Sequence, residues 1–141
     1  MMKSPIYEQV LELSCELVNA SGEEDTKRCW EIYQTLESTC NENKGSKSDH
    51  PLQWEALADF TTDDNVSISI YENALSVALK LNLNDYVASI NFAMAERFLS
   101  LDKNEKSLMF AKTANEIAKK TRDLDLRISI SEFLLNEHGS T

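Results

Sequence analysis

The chain has 141 residues, 42% of them hydrophobic, with only three glycines and two prolines. That is one domain's length with enough apolar content for a continuous core, and it excludes disorder and a hairpin-rich β fold. The net charge of −10 repels phosphate backbones and anionic membranes, so nucleic acid and membrane are not expected partners.

No apolar run approaches the roughly 18–20 residues of a membrane span. Near the N-terminus, Glu8, Glu12 and Glu16 interrupt the apolar positions that follow Lys3, unlike a signal peptide. The expected location is the cytoplasm. Cys15, Cys29 and Cys40 are odd in number and lack CxxC spacing, which indicates neither a disulfide framework nor a zinc site. Each falls on or beside an apolar helical stripe and reads as a small buried hydrophobe.

Helical periodicity then divides the chain. A first helix is expected over 5–19, with Ser4 as N-cap, Pro5 at the first position, and Ile6, Val10, Leu13 and Leu17 inward, widened by Leu11 and Val18. Ser21 and Glu24 have capping-box spacing for a second helix to about Cys40, with Trp30 at the edge of its stripe. Residues 41–49 are polar and the least ordered-looking part of the chain. Pro51 opens a third helix carrying Leu52, Trp54, Leu57, Ala58 and Phe60. The run 61–64 ends it and caps a fourth helix over 65–81. Asn84 caps a fifth over 85–99. Asp102 and Glu105 form another capping box before a sixth helix over 103–120. Asp123 or Asp125 caps a seventh, and a tail over 137–141 is expected to fray.

A shift of 40 positions superimposes the second half of the chain on itself. Ser67, Ala74, Ala78, Lys80, Asp85, Ser89 and Ile90 meet Ser107, Ala114, Ala118, Lys120, Asp125, Ser129 and Ile130. Ordinary residue usage would give about two identities over such a span. A helix pair that cannot bury its apolar stripe alone stacks on its neighbour, and the repeated alanines let backbones approach closely. The sequence therefore predicts an all-α fold of stacked antiparallel helix hairpins, about seven helices in one domain over 1–141. Within it, 1–42 form an N-terminal pair and 51–137 the repeat region.

Ser67, Tyr71 and Ala74 have the spacing of second-helix positions in a tetratricopeptide repeat. Ala95 and Phe98, followed by Ser107, Ala111 and Ala114, resemble the small–aromatic–small pattern running through both its helices. The likeness covers about 52–135. It departs from the family in its 40-residue period, against about 34, and lacks the Trp-Leu-Gly-Tyr string and the terminal proline. The resemblance implies an α-α superhelix whose first helices line a groove. Carried over by position, Ser89, Phe92 and Glu96 fall on that groove, and the shift adds Asp49, Leu52, Ala56 and, one turn on, Asp59. Phe92 is the apolar residue expected to be open to a partner.

No phosphate loop, HExxH or calcium-loop pattern is present, and no catalytic residue, metal or cofactor is expected. Cys40 and His50 have the residue types of a nucleophile pair, yet both fall at or beside the polar linker and read as core and turn. The paired carboxylates Glu55 and Asp59 read as surface acids on one helix face. Charge is more informative. Residues 1–85 hold 16 acidic and 6 basic side chains, residues 86–141 eight of each, so the first 85 carry the whole excess. An acidic face with aromatic residues nearby suits a basic protein partner. The expected contact set is Asp49, Leu52, Glu55, Asp59, Asp63, Asp64, Tyr86, Ser89, Phe92 and Glu96. In size, charge and repeat type the chain is similar to the immunity proteins of bacterial contact-dependent toxin systems. That resemblance implies direct binding and neutralisation of a basic, nuclease-type toxin. The alternative is an adaptor or chaperone holding a peptide in the groove.

Overall fold

The computed structural model describes residues 6–138, which form seven α-helices: α1 Tyr7–Gly22, α2 Thr26–Asn43, α3 Pro51–Asp59, α4 Asp64–Lys80, α5 Asn84–Ser100, α6 Asn104–Ala118 and α7 Leu124–His138. The expected cap Ser4 and first helical residue Pro5 lie outside the described residues. Each helix packs on the next in sequence, and α3 also touches α1 and α5. This is the neighbour pattern of helix pairs laid side by side.

The 40-residue repeat is structural. α4 and α6 start 40 positions apart, as do α5 and α7. Burial along 67–80 recurs along 107–120 at every position but one, where Ile68 is buried and Leu108 half-buried. Ala74, Ala78, Ala114 and Ala118 have no exposed surface. A methyl side chain at a crossing lets neighbouring backbones close together, and a larger one would have to be pushed out of its rotamer. One core cluster runs from α1 to α5, and a second joins Ala88, Ala114, Ala118 and Ile130 across α5, α6 and α7.

Three of the turns share one device. After α1, α4 and α5, the residues Glu24, Asn82 and Asp102 take positive φ (57°, 56° and 58°). In each, the next amide reaches five residues back: Asp25 to Ala20, Leu83 to Ala78 and Lys103 to Phe98, at 2.9–3.0 Å. These are Schellman turns, which satisfy the last carbonyls of one helix while reversing the chain. They also replace two expected capping boxes. Asp25, not Ser21, caps α2 by accepting from the Arg28 amide, and Asp102 is spent on the left-handed position, so α6 has no side-chain cap. Asn84 likewise is the first residue of α5 rather than its cap. Asp63 caps α4 and Asp123 accepts from the Leu126 amide, both as expected.

Residues 41–49 do not form a loose linker. α2 runs on to Asn43, and the remainder folds into a compact loop. Asp49 accepts from the Gly45 amide (2.8 Å) and from Trp54 Nε1 (2.7 Å), while Gln53 Nε2 donates to the Ser48 carbonyl. His50 is buried and caps α3, its Nδ1 accepting from the Leu52 amide at 3.1 Å. At the other end α7 holds the expected tail as far as His138, whose Nε2 pairs with Ser107 Oγ at 3.0 Å. The flanks of the α1 stripe are open, with Leu11 and Val18 both exposed. Of the cysteines, Cys40 is buried, Cys29 half-buried and Cys15 exposed.

Two tests follow. Ala78→Leu and Ala118→Leu should each lose about 1–3 kcal/mol in chemical denaturation. Leu79→Ala, at an exposed neighbour, should lose under about 0.5 kcal/mol. Separately, Glu24 occupies a left-handed position with no asparagine or glycine to ease it, so Glu24→Gly should gain about 0.5–1 kcal/mol. A loss there would contradict the turn assignment.

Candidate functional site

The site is assembled where α3 lies beside α5. α3 is only nine residues long, and its C-terminal carbonyls need partners. Arg97 of α5 supplies them. Its Nη2 donates to the carbonyls of Ala58 (3.1 Å) and Asp59 (3.3 Å), and its Nη1 pairs with Asp64 at the start of α4 (3.1 Å). One half-buried guanidinium thus ties three helices together. Ser67 Oγ donates to the same Ala58 carbonyl at 2.9 Å, so the α3–α4 corner is held from two sides.

One turn earlier on α3, Glu55 points to α5 and accepts from Ser89 Oγ at 2.6 Å. Burial pushes its carboxyl up to about 7, against the lowering effect of the Ser89 hydrogen bond and with a smaller upward push from Asp59. Asp59 accepts a hydrogen bond from the Tyr71 hydroxyl. Although Asp59 as a residue is exposed, its carboxylate end is crowded by neighbours, and that burial raises it above the usual range despite Tyr71 and Arg97. Burial also raises the Tyr71 hydroxyl, with Asp59 adding to the effect. Glu96 is exposed as a residue, yet partial burial of its carboxyl raises it first and Asp59 next, with Arg97 opposing. Three carboxyls therefore share one seam, and the cation that opposes the shifts of Asp59 and Glu96 is already bound to Asp64 and to main-chain carbonyls. The physical consequence is that burial favours the neutral, protonated forms of these carboxyls more than in water.

Of the expected contact residues, the fold gathers Glu55, Asp59, Ser89 and Glu96 on this seam and links Asp64 to it through Arg97. Tyr86 lies at its edge, half-buried, with its ring edge-on to His50 at 5.1 Å. Burial raises its hydroxyl, and Glu55 adds to the shift. Leu52 is half-buried against the core.

Three of the expected residues are placed otherwise. Phe92 is half-buried rather than open: it stands edge-to-face on Phe133 of α7 at 5.4 Å and packs against the second core cluster. Asp49 lies in the loop before α3, one carboxylate oxygen accepting from the Gly45 amide of that loop and the other from Trp54 Nε1 of α3. Asp63 is exposed and serves as the α4 cap, apart from the carboxyl cluster. Among the aromatic candidates, Trp54 and Tyr71 are buried and Trp30 is exposed.

Sequence reasoning missed Arg97. Under the 40-residue shift it faces Glu137, so the repeat gave no hint of it. Cys40 is a buried thiol donating to the Gln53 carbonyl, and burial, with Asp49 and Glu37, pushes it up to about 12. A thiol held so firmly protonated is a poor nucleophile. Among the described residues, no three His, Cys, Asp or Glu side chains are grouped as metal ligands, and no helix is long and apolar enough to cross a membrane.

Comparison of the chain with protein-family models, with curated proteins and with solved structures gave no match.

The Glu55 shift makes a signed prediction for stability. Its folded value lies above the ordinary 4.5, so the folded state holds the proton more tightly. The unfolded chain releases it first, and its contribution to stability falls as pH rises from about 4.5 to about 7. Glu55→Gln removes that fall. The stability of the variant relative to the parent should climb across this window and level off above it. A difference independent of pH would show that Glu55 titrates normally.

Proposed function

We propose that this chain is a protein-binding module that receives a basic polypeptide against the face shared by α3 and α5. The observation that carries this reading is the crowding of Glu55, Asp59 and Glu96 with raised carboxyls around one committed arginine. A lysine or arginine from a partner would stabilise the charged forms that burial disfavours, so cation binding and carboxyl ionisation reinforce each other. The long-range field acts in the same sense, because residues 1–85 carry the net negative charge of the chain.

The biological setting that best fits size, charge and repeat type is an immunity protein. It would bind a basic, nuclease-type toxin one-to-one and keep nucleic acid from its cleft. The second reading, an adaptor with a peptide in its groove, needs an apolar anchor there. Phe92 was the expected anchor, and its packing on Phe133 favours the acidic-face reading.

Affinity capture from the native host identifies the partner, and calorimetry then tests the face. The partner should be basic. Binding should weaken at least about tenfold as salt rises from about 50 to about 300 mM. It should weaken again, by about tenfold, as pH falls from about 8 to about 6 and Glu55 takes up a proton. Glu55→Gln combined with Asp59→Asn should cost at least about tenfold in affinity, while Phe92→Ala should change binding little at constant fold. An acidic partner, or binding indifferent to salt and to the double substitution, would overturn the reading.

A further inference from the structure

A second candidate site adjoins the start of α3. The 44–50 loop and the C-terminal half of α4 enclose a cleft of about 470 Å³, within the size range of small-molecule pockets. Trp54, Val77 and Leu81 give it apolar walls, and Lys44, Lys47 and Lys80 line it with positive charge. Lys44 Nζ stands 6.0 Å from the centroid of the Trp54 ring.

The charge here runs against the rest of this half of the molecule. Residues 1–85 contain six basic side chains against sixteen acidic ones, and three of the six line this cleft. Against these three lysines the lining holds one acid, Asp49, whose carboxylate is oriented by Trp54 Nε1 and the Gly45 amide, so positive charge is in excess. The end of α4 adds little free acceptor capacity. The carbonyls of Val77, Ala78 and Leu79 already accept from the amides of Leu81, Leu83 and Asn82 in the Schellman turn. Apolar walls with three lysines in the lining suit a molecule with an anionic head and an apolar or aromatic body.

We propose that this cleft binds a small organic anion, a carboxylate or phosphate carried on an aromatic or aliphatic body. Its lining shares no residue with the acidic seam: it uses Trp54, whereas the seam uses Glu55 and Asp59.

The test is a titration of the ¹⁵N-labelled full chain, followed by NMR at the Trp54 indole N–H and the amides of Gly45 and Ser76. The probes are 1-naphthyl phosphate, 1-naphthoate, neutral 1-naphthol and inorganic phosphate. At least one naphthyl anion should give saturable shifts at these groups, and which one binds tighter separates phosphate from carboxylate recognition. 1-Naphthol and inorganic phosphate should each bind at least about tenfold more weakly, since each lacks one half of the recognition. Lys44→Gln with Lys80→Gln should weaken the anion at least about tenfold and leave 1-naphthol unchanged. Both lysines are exposed, so the fold should survive, and an unchanged spectrum away from the cleft checks this. Glu55→Gln should have no effect, which keeps the proposal separate from the acidic face. Equal binding of 1-naphthol, equal binding of bare phosphate, indifference to the lysine substitutions, or no saturable shift would each overturn it.

Discussion

Close approach of helices at alanines with no exposed surface is the constraint on which this stack rests. Ala74 and Ala78 on α4, Ala88 and Ala95 on α5, and Ala111, Ala114 and Ala118 on α6 all meet it. Small residues at these crossings bring α5 near both α4 and α6 and leave its remaining surface to α3. The contact between α3 and α5 brings a serine hydroxyl within 2.6 Å of Glu55 and carries Arg97 to the end of α3. Bulkier crossings would separate those groups and solvate them separately.

The electrostatics follow from that proximity. Carboxylates on a solvated surface lose little by being near one another, because water screens them. On the α3–α5 face, packing strips part of that water away. Glu55 is pushed to about 7, and Asp59 and Glu96 are raised with it. Arg97 moderates the cluster without neutralising it, since its donors are shared with Asp64 and the carbonyls of Ala58 and Asp59. Tyr71 holds Asp59 in place from α4. The acidic side chains of this face are thus held by hydrogen bonds from Tyr71 and Ser89.

Much of the architecture could be read directly, because it depends on periodicity. Helix count, the 40-residue register and the buried alanines follow from apolar spacing, and the burial of 67–80 repeats at 107–120. Several helix ends could not be read the same way. Ser21/Glu24 and Asp102/Glu105 match a capping box, but each segment also matches a turn with a left-handed residue, and the Schellman bonds prevail. The polar run 41–49 looks unstructured in composition, yet its order comes from Asp49 and Trp54, partners five residues apart. Within the site, Asp59, Ser89 and Glu96 were accessible through the repeat register, and Glu55 through the acidic excess of the first 85 residues. Arg97 was not, because the register sets it against an acid, Glu137, and its carbonyl partners at the end of α3 are 38 and 39 residues away. Phe92 was misplaced because the register says which face a residue occupies, whereas its exposure depends on Phe133 of the next helix.

Glu55 is a half-buried carboxyl on the α3–α5 seam, and the proposed function makes that seam the receptor for a partner's cation. Carbon-detected NMR titration of the Glu55 side chain, alone and with an excess of a short oligolysine peptide, tests it most directly. The expected midpoint is about 7 in the free protein, with a clear downward displacement when the peptide is added. A midpoint at the ordinary 4.5 in the free protein, or one that the peptide leaves unmoved, would contradict it.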